Sequence, residues 1–191
     1  GVSIEDKIFP KQNSLLENGK NELASEKDFV AKIIAAREAK QNQEFMVIAR
    51  TEALIAGLGF DEALKRANAY EKAGADAILI HSKKNTPDEI FEFCETWDGK
   101  IPIIVIPTSY PNVTLDELQN HKVKMVIYAN QSLRVSHWAM VEYLSKLSTA
   151  KSLSDVETKM TTMEDIFHLQ EMYEIKKQEI EIEKNLKKLG Y

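Results

Sequence analysis

The sequence predicts an α/β protein built from parallel βα units, and three observations carry that reading. Short runs rich in Val and Ile alternate with helical patterns along most of the chain. Those runs are continuously apolar rather than alternating, as strands covered on both faces are. The polar residues also fall at one place in each unit, at or just past the strand's C-terminal end: Glu5, Arg50, His81, Thr108 and Asn130. In a closed barrel all strand C-termini open onto one face, and that face carries the chemistry, so five dispersed positions would converge on one pocket. An open doubly wound sheet also gathers strand ends. However, no Gly-rich phosphate-binding turn follows any strand. The fold class expected is a TIM-type (β/α)8 barrel.

"GVSI" (1–4) reads as the tail of a first strand. A loop from Lys7 to about Ala24 follows, too polar and glycine-containing for a core element, and loops of that length often serve as lids. Ser25, with Asp28 three residues on, caps "EKDFVAKIIAAREAK" (26–40), in which Phe29, Ile33 and Ala36 share a face. "EFMVIA" (44–49) is a second strand. Asp61 opens the helix "EALKRANAYEKA" (62–73), and Gly74 suits the left-handed residue that ends it. "DAILIH" (76–81) is a third strand, and Thr86-Pro87 opens "DEIFEFCETW" (88–97) with proline in the first helical position. "PIIVIP" (102–107), a short helix after Thr114, "KMVIYA" (124–129) and a long helix from about Leu133 to Leu147 complete five units. Right-handed crossovers should join them. A second long helical stretch spans 162–190, with Ile166, Leu169, Tyr173, Ile180 and Leu186 as an apolar stripe among Glu and Lys.

A complete barrel of this kind needs eight strands and typically about 250 residues. Only five units are visible in 191 residues. The expectation is therefore that the N-terminal units lie outside this sequence. On that reading 1–150 is the C-terminal portion of a barrel, 151–191 is a helical extension, and the chain alone is inactive.

The composition, 43% hydrophobic and 29% charged, is that of an ordinary soluble domain. A net charge of −5 leaves no basic face for nucleic acid. Cys94, the single cysteine, cannot form an internal disulfide, and its place in "IFEFCETW" predicts burial. No apolar run approaches the roughly 18 residues of a membrane span, and "GVSIED" is unlike a signal peptide. A cytoplasmic protein is expected. His121, His137 and His168 fall in helical or loop stretches and read as surface or packing residues.

The opening stretch "EDKIFPKQNS" (5–14) crowds carboxylates, lysines, amide and hydroxyl into ten positions, as a site handling an anion and a metal would. It resembles the signature of the phosphoenolpyruvate mutases, of the isocitrate lyase and phosphoenolpyruvate mutase superfamily of (β/α) barrels. The resemblance continues through "VIARTEALIAGLGFDEALKRANAYEKAGADAILIHSKK", "IPIIVIPTSY", "MVIYANQSLR" and "MEDIFHLQ", up to about Gln170. It implies a magnesium-dependent isomerase that moves a phosphoryl group between oxygen and carbon, interconverting phosphoenolpyruvate and phosphonopyruvate at the entry to natural phosphonates. It also implies a homo-oligomer, often a tetramer, packed through its C-terminal helices.

Residue by residue, the resemblance makes Glu5 a carboxylate holding a water of the Mg²⁺, an ion that keeps several waters. Lys11 and Asn13 belong to a gating loop whose closure brings both to the phosphoryl oxygens. Arg50 grips an anionic group of the substrate, since a guanidinium can do so with two prongs. His81 donates to a substrate oxygen. Each has a plain alternative: Glu5 paired with Lys7 or another cation, a solvated loop, an Arg50–Glu52 ion pair, a satisfied core histidine. The family's direct metal ligand and its serine-glycine loop match no residue here. The lyase branch carries a cysteine-containing motif where this chain has "EDKIFPKQNS", a departure that disfavours a carbon–carbon lyase. The remaining alternatives are a phosphonopyruvate hydrolase and a non-catalytic partial barrel serving as an assembly module.

Overall fold

The computed structural model describes residues 1–17, 19–157 and 160–191. They group into two compact units, Gly1–Gln131 and Ser132–Tyr191. The sequence reading draws its line at 150, so the helix from Gln131 is the element on which the two divisions differ.

In the first unit β1 (Val2–Glu5), β2 (Val47–Thr51), β3 (Ala77–Ile80), β4 (Ile103–Val105) and β5 (Val123–Val126) form one parallel sheet, neighbours in space in their chain order. Each crossover advances one strand in the same direction, as in a barrel wall, whereas a doubly wound sheet reverses partway. The crossovers carry α1 (Glu26–Ala39), α2 (Phe60–Lys72), α3 (Asp88–Thr96) and α4 (Leu115–Asn120). Ala49, Ile78, Ile80, Ile103 and Val105 pack under Phe29, Ile33, Ala67, Tyr70, Phe93 and Leu118 of those helices. Phe29 meets Tyr70 edge to face with ring centroids 4.6 Å apart, a pairing worth about 1 kcal/mol beyond its buried area. The opposite sheet face buries Ile48, Ala77, Leu79, Ile104 and Ile106. Both faces of the central strands are dry, which is why their sequences do not alternate.

The helix ends follow capping chemistry with two corrections. Ser25 Oγ accepts from Asp28 N at 3.1 Å, as its sequence position predicts. Thr114 and Glu117 form a reciprocal capping box. Gly74 has φ 94°, and the amides of Gly74 and Ala75 donate back to Glu71 O (2.9 Å) and Tyr70 O (3.1 Å) to close α2. A Cβ at Gly74 would stand 2.6 Å from Arg37 Cδ. However, α2 begins at Phe60 behind Gly59 rather than after Asp61, because Gly59 O already accepts from Ala63 N. Pro87 is the cap of α3 rather than its first residue, and its carbonyl accepts from Ile90 N and Phe91 N, both at 2.9 Å. The second strand starts at Val47 rather than Glu44, since the amides of Glu44 and Phe45 turn back onto Asn42.

The second unit is helical: α5 (Gln131–Leu147), a 3-10 turn (Leu153–Asp155), α6 (Met163–Leu169) and α7 (Met172–Lys188). The expected continuous stretch is broken at Glu171, a left-handed residue with φ 53°, whose carbonyl accepts from Glu174 N and Ile175 N and so starts a new helix. Leu169, Tyr173, Ile180 and Leu186 of the predicted stripe are exposed. Among the described residues no helix is long and apolar enough to cross a membrane.

Candidate active site

Strand alternation decides what faces the cavity. On the sheet face turned away from the helices, Arg50 comes two residues after Ile48, and His81 comes two after Leu79. Glu5 pairs in register with Arg50 and joins them. The result is an apolar floor with a charged rim. A cavity of about 360 Å³ lies there, lined by Glu5, Lys11, Asn13, Arg50 and His81 together with Thr108 and Asn130. All five strand-end positions and both loop residues singled out in the sequence thus meet in one place.

Their partners differ from the expectation in detail. Of the cations open to Glu5, it pairs with Lys11 Nζ at 2.8 Å and Arg50 Nε at 3.4 Å rather than Lys7. Asn13 Oδ1 accepts from Leu15 N at 2.9 Å, a turn within the loop that leaves its Nδ2 without a hydrogen bond among the described residues. Arg50 does pair with Glu52, Nε to Oε1 at 2.6 Å, and its Nη2 donates to Ser14 Oγ at 3.1 Å. One edge of the guanidinium is therefore held by protein, and Nη1 remains for an anion. His81 Nδ1 lies 3.1 Å from Glu52 Oε1 and 2.9 Å from Arg50 Nη2. It cannot donate to one and accept from the other at once. The carboxylate only accepts and the guanidinium only donates, so Nδ1–H pairs with Glu52 in one tautomer and a bare Nδ1 with Arg50 in the other, and in both Nε2 is the ring atom left for a ligand.

Three residues at the centre of the site carry no role in the sequence reading: Lys7, Ser14 and Glu52. All are buried. Ser14 Oγ–H donates to Glu52 Oε2 while accepting from Lys7 Nζ and Arg50 Nη2, both at 3.1 Å. Lys7 Nζ also donates to Gln12 O at 2.7 Å. Burial would push the Glu52 carboxyl up, but hydrogen bonds and charge from His81 and Arg50 outweigh it and hold the group at about 2. The signal in the sequence was the Arg50–Glu52 spacing, read only as an ion pair. Asp6, by contrast, faces the helices. Its oxygens accept from Glu52 N (2.8 Å), Tyr70 OH (2.7 Å) and Arg66 Nη1 (3.1 Å). Burial outweighs those donors and raises its carboxyl above the usual range.

Thr108 Oγ1 and Asn130 Oδ1 are buried in the cavity wall without a hydrogen-bond partner among the described residues. Orphaned polar atoms beside a cavity are placed to meet a polar ligand. The same residues do not fit a metal ion by themselves. No group of three His, Cys, Asp or Glu that could hold one occurs among the described residues, and the Glu5 carboxylate is turned to two cations. Outside the site, Cys94 is buried as expected. His121 stacks on Phe91 with centroids 3.7 Å apart, and His137 and His168 are exposed.

Comparison with known proteins places this geometry. The family profile described as phosphoenolpyruvate phosphomutase matches residues 1–148. The phosphoenolpyruvate phosphomutase of Tetrahymena pyriformis is 48% identical over 176 residues, covering 92% of this chain and 59% of that protein. The crystal structure of phosphoenolpyruvate phosphomutase from Streptomyces platensis subsp. rosaceus superposes with a TM-score of 0.89 at 41% identity, covering 94% of this chain and 62% of that one. A phosphonopyruvate hydrolase in complex with oxalate and Mg++ superposes with a TM-score of 0.84 at 40% identity, covering 93% and 61%. The chain spans between 59% and 62% of the length of these relatives. With its five parallel strands, its strand-end cavity and a family match over most of its length, the chain belongs to the phosphoenolpyruvate phosphomutase family of the isocitrate lyase and phosphoenolpyruvate mutase superfamily.

Proposed function

We propose that the protein is a phosphoenolpyruvate mutase, interconverting phosphoenolpyruvate and phosphonopyruvate. The observation that carries the reading is the cluster of Lys11, Asn13, Arg50 and His81 around one cavity, with Glu52 fixing the last two. The reaction is an isomerisation. The C–P bond of phosphonopyruvate breaks, its electrons pass into the enolate, and the enolate oxygen forms a new O–P bond. No atom enters or leaves. Phosphoryl transfer through a loose, metaphosphate-like transition state asks a protein for positioning and charge. Arg50 offers a fixed cation with Nη1 toward the substrate, His81 presents Nε2, and Lys11 and Asn13 add a cation and an amide from the loop above. That loop also keeps water from the migrating phosphoryl group, on which the choice between isomerisation and hydrolysis turns.

A magnesium requirement belongs to the same proposal. It is supported by the Mg++ in the hydrolase structure, and when bound the ion would neutralise charge on the transferring oxygens. Glu5 is the carboxylate offered for contact through a water, in competition with its ion pairs to Lys11 and Arg50. A homo-oligomer, tetrameric as in the family, and a cytoplasmic place as the entry step to phosphonates complete the proposal. The exposed apolar side chains of α5 and α7, among them Trp138, Val141 and Ile180, support the oligomer.

Phosphorus NMR of the purified complete protein with phosphonopyruvate and Mg²⁺ tests the reading. Growth of a phosphoenolpyruvate signal is expected. Inorganic phosphate with pyruvate would instead make it a hydrolase, and no turnover would leave the assembly-module reading standing.

A further inference from the structure

Glu52 has one oxygen on each of two functions. Oε1 holds the side chains that face the cavity, Arg50 Nε at 2.6 Å and His81 Nδ1 at 3.1 Å. Oε2 holds the loop, through the hydroxyl of Ser14, with Lys7 Nζ at 3.7 Å. The loop is otherwise lightly attached. Its base is pinned by backbone pairing of Lys7 with Leu23 and by Ile8 N donating to Glu22 O at 3.0 Å. Beyond the base, Gln12 accepts from Lys20 N and, at its carbonyl, from Lys7 Nζ at 2.7 Å, while Asn13 accepts from Leu15 N and Leu16 N within the loop. Lys11 reaches Glu5, but with 61% of its side chain exposed that pair contributes little. Between residues 8 and 17 Ser14 is the one buried residue.

The Ser14 hydroxyl is fully used: it gives one hydrogen to Glu52 and accepts two, from Lys7 and Arg50. Lifting the loop therefore removes a donor from Glu52 and an acceptor from Arg50 in the same motion. The carboxylate that aligns Arg50 and His81 cannot make its full set of bonds unless the loop is down. We propose that Glu52 is a positioning residue, a buried carboxylate that couples docking of the loop, through Ser14, to the orientation of Arg50 and His81. Substrate gripped by Arg50 and His81 then favours the docked loop, and a docked loop readies both side chains for substrate. The coupling rests on the proposed phosphoryl-transfer reading only for its kinetic consequence.

The test uses Ser14→Ala, Ser14→Thr and Glu52→Gln in the purified complete protein, with three readouts. Trypsin cleavage under native conditions at Lys11 and Lys20 reports loop lifting. Nitrogen NMR of the imidazole reports which ring nitrogen of His81 carries the hydrogen. Kinetics with phosphonopyruvate report the consequence. Ser14→Ala should be cleaved about tenfold faster, on the scale of one lost hydrogen bond to a charged group, and kcat/KM should fall by a similar factor. Ser14→Thr keeps the hydroxyl and should restore both. Glu52→Gln should lift the loop likewise and lower the share of His81 rings with hydrogen on Nδ1, since the carboxylate that accepts it is gone. Loop cleavage at the wild-type rate in Ser14→Ala overturns the latch. A lifted loop with unchanged kcat/KM overturns the coupling. If Glu52→Gln does not fold, the Ser14 pair decides alone. If the protein proves not to be a mutase, the proteolysis and NMR arms still decide whether loop and histidine are linked.

Discussion

Glu52→Gln should remove a defined part of the protein's acid sensitivity. The Glu52 carboxylate faces Lys7 and Ser14 from the loop, Arg50 on β2 and His81 after β3, while Glu5 lies 3.4 Å from the same Arg50 Nε. Against burial, the hydrogen bonds and charge of His81 and Arg50 hold its carboxyl at about 2 in the folded protein, against an ordinary value of 4.5. A depressed carboxylate contributes stability that is present above the unfolded value and lost as pH falls through the folded one. At about 1.4 kcal/mol per pKa unit, the contribution is about 3 kcal/mol at neutral pH. About 2 kcal/mol of it is gone by pH 3 and nearly all below pH 2. Asp6 moves the other way, being raised by burial, so its contribution weakens as pH rises. It is present in both proteins and cancels in the difference. The assay is urea unfolding of wild type and Glu52→Gln at pH 7 and pH 3. At pH 7 the variant should be weaker by about 3 kcal/mol or more, since a buried Lys7 loses its carboxylate and a side-chain amide faces the Ser14 donor. Between pH 7 and pH 3 the wild type should lose about 2 kcal/mol more than the variant. Equal losses in the two proteins would show that Glu52 is not held ionised by these partners.

Asn13→Ala should lower kcat by about a hundredfold, the scale of losing one charge-stabilising donor, with urea stability hardly changed because the residue is exposed; near-normal turnover would take Asn13 out of the mechanism. Arg50→Lys keeps the charge but cannot reach Glu52, Ser14 and a substrate anion together, so kcat/KM should fall steeply, and a near wild-type value would show that the planar geometry is irrelevant. Asp6→Asn puts an amide nitrogen either where Oδ2 accepts from Tyr70 OH and Arg66 Nη1 or where Oδ1 accepts from Glu52 N, and should cost about 3 kcal/mol in urea unfolding; a loss under about 1 kcal/mol would show that these donors do not require an anionic partner.

The convergence of Glu5, Arg50, His81, Thr108 and Asn130 was legible because it depends on one rule, that parallel strands deliver their C-terminal ends to the same side. The caps at Ser25, Thr114 and Gly74 were legible because they depend on contacts within a few residues. Glu52 was legible only as a partner for Arg50, two residues away. Its other partners come from two separate stretches of chain, which no local pattern links to it. The start of α2 was misjudged for a related reason: a glycine at φ 86° competes with aspartate for the cap, and backbone conformation is invisible in the letters. The break at Glu171 has neither glycine nor proline to announce it.

The run Glu5-Asp6-Lys7 shows how alternation divides work among neighbours. Glu5 turns to the cavity, where it meets Lys11 and Arg50. Asp6 turns to the helices and, through Tyr70 and Arg66, ties the exit of β1 to α2. Lys7 turns back toward the site and supports Ser14 and Glu52. Asp6 also accepts the backbone amide of Glu52, so two successive residues hold the peptide and the side chain of one carboxylate. The peptide of Glu52 is thus held by the exit of the neighbouring strand, while its side chain answers to both sides at once, with Oε1 on Arg50 and His81 and Oε2 on Ser14.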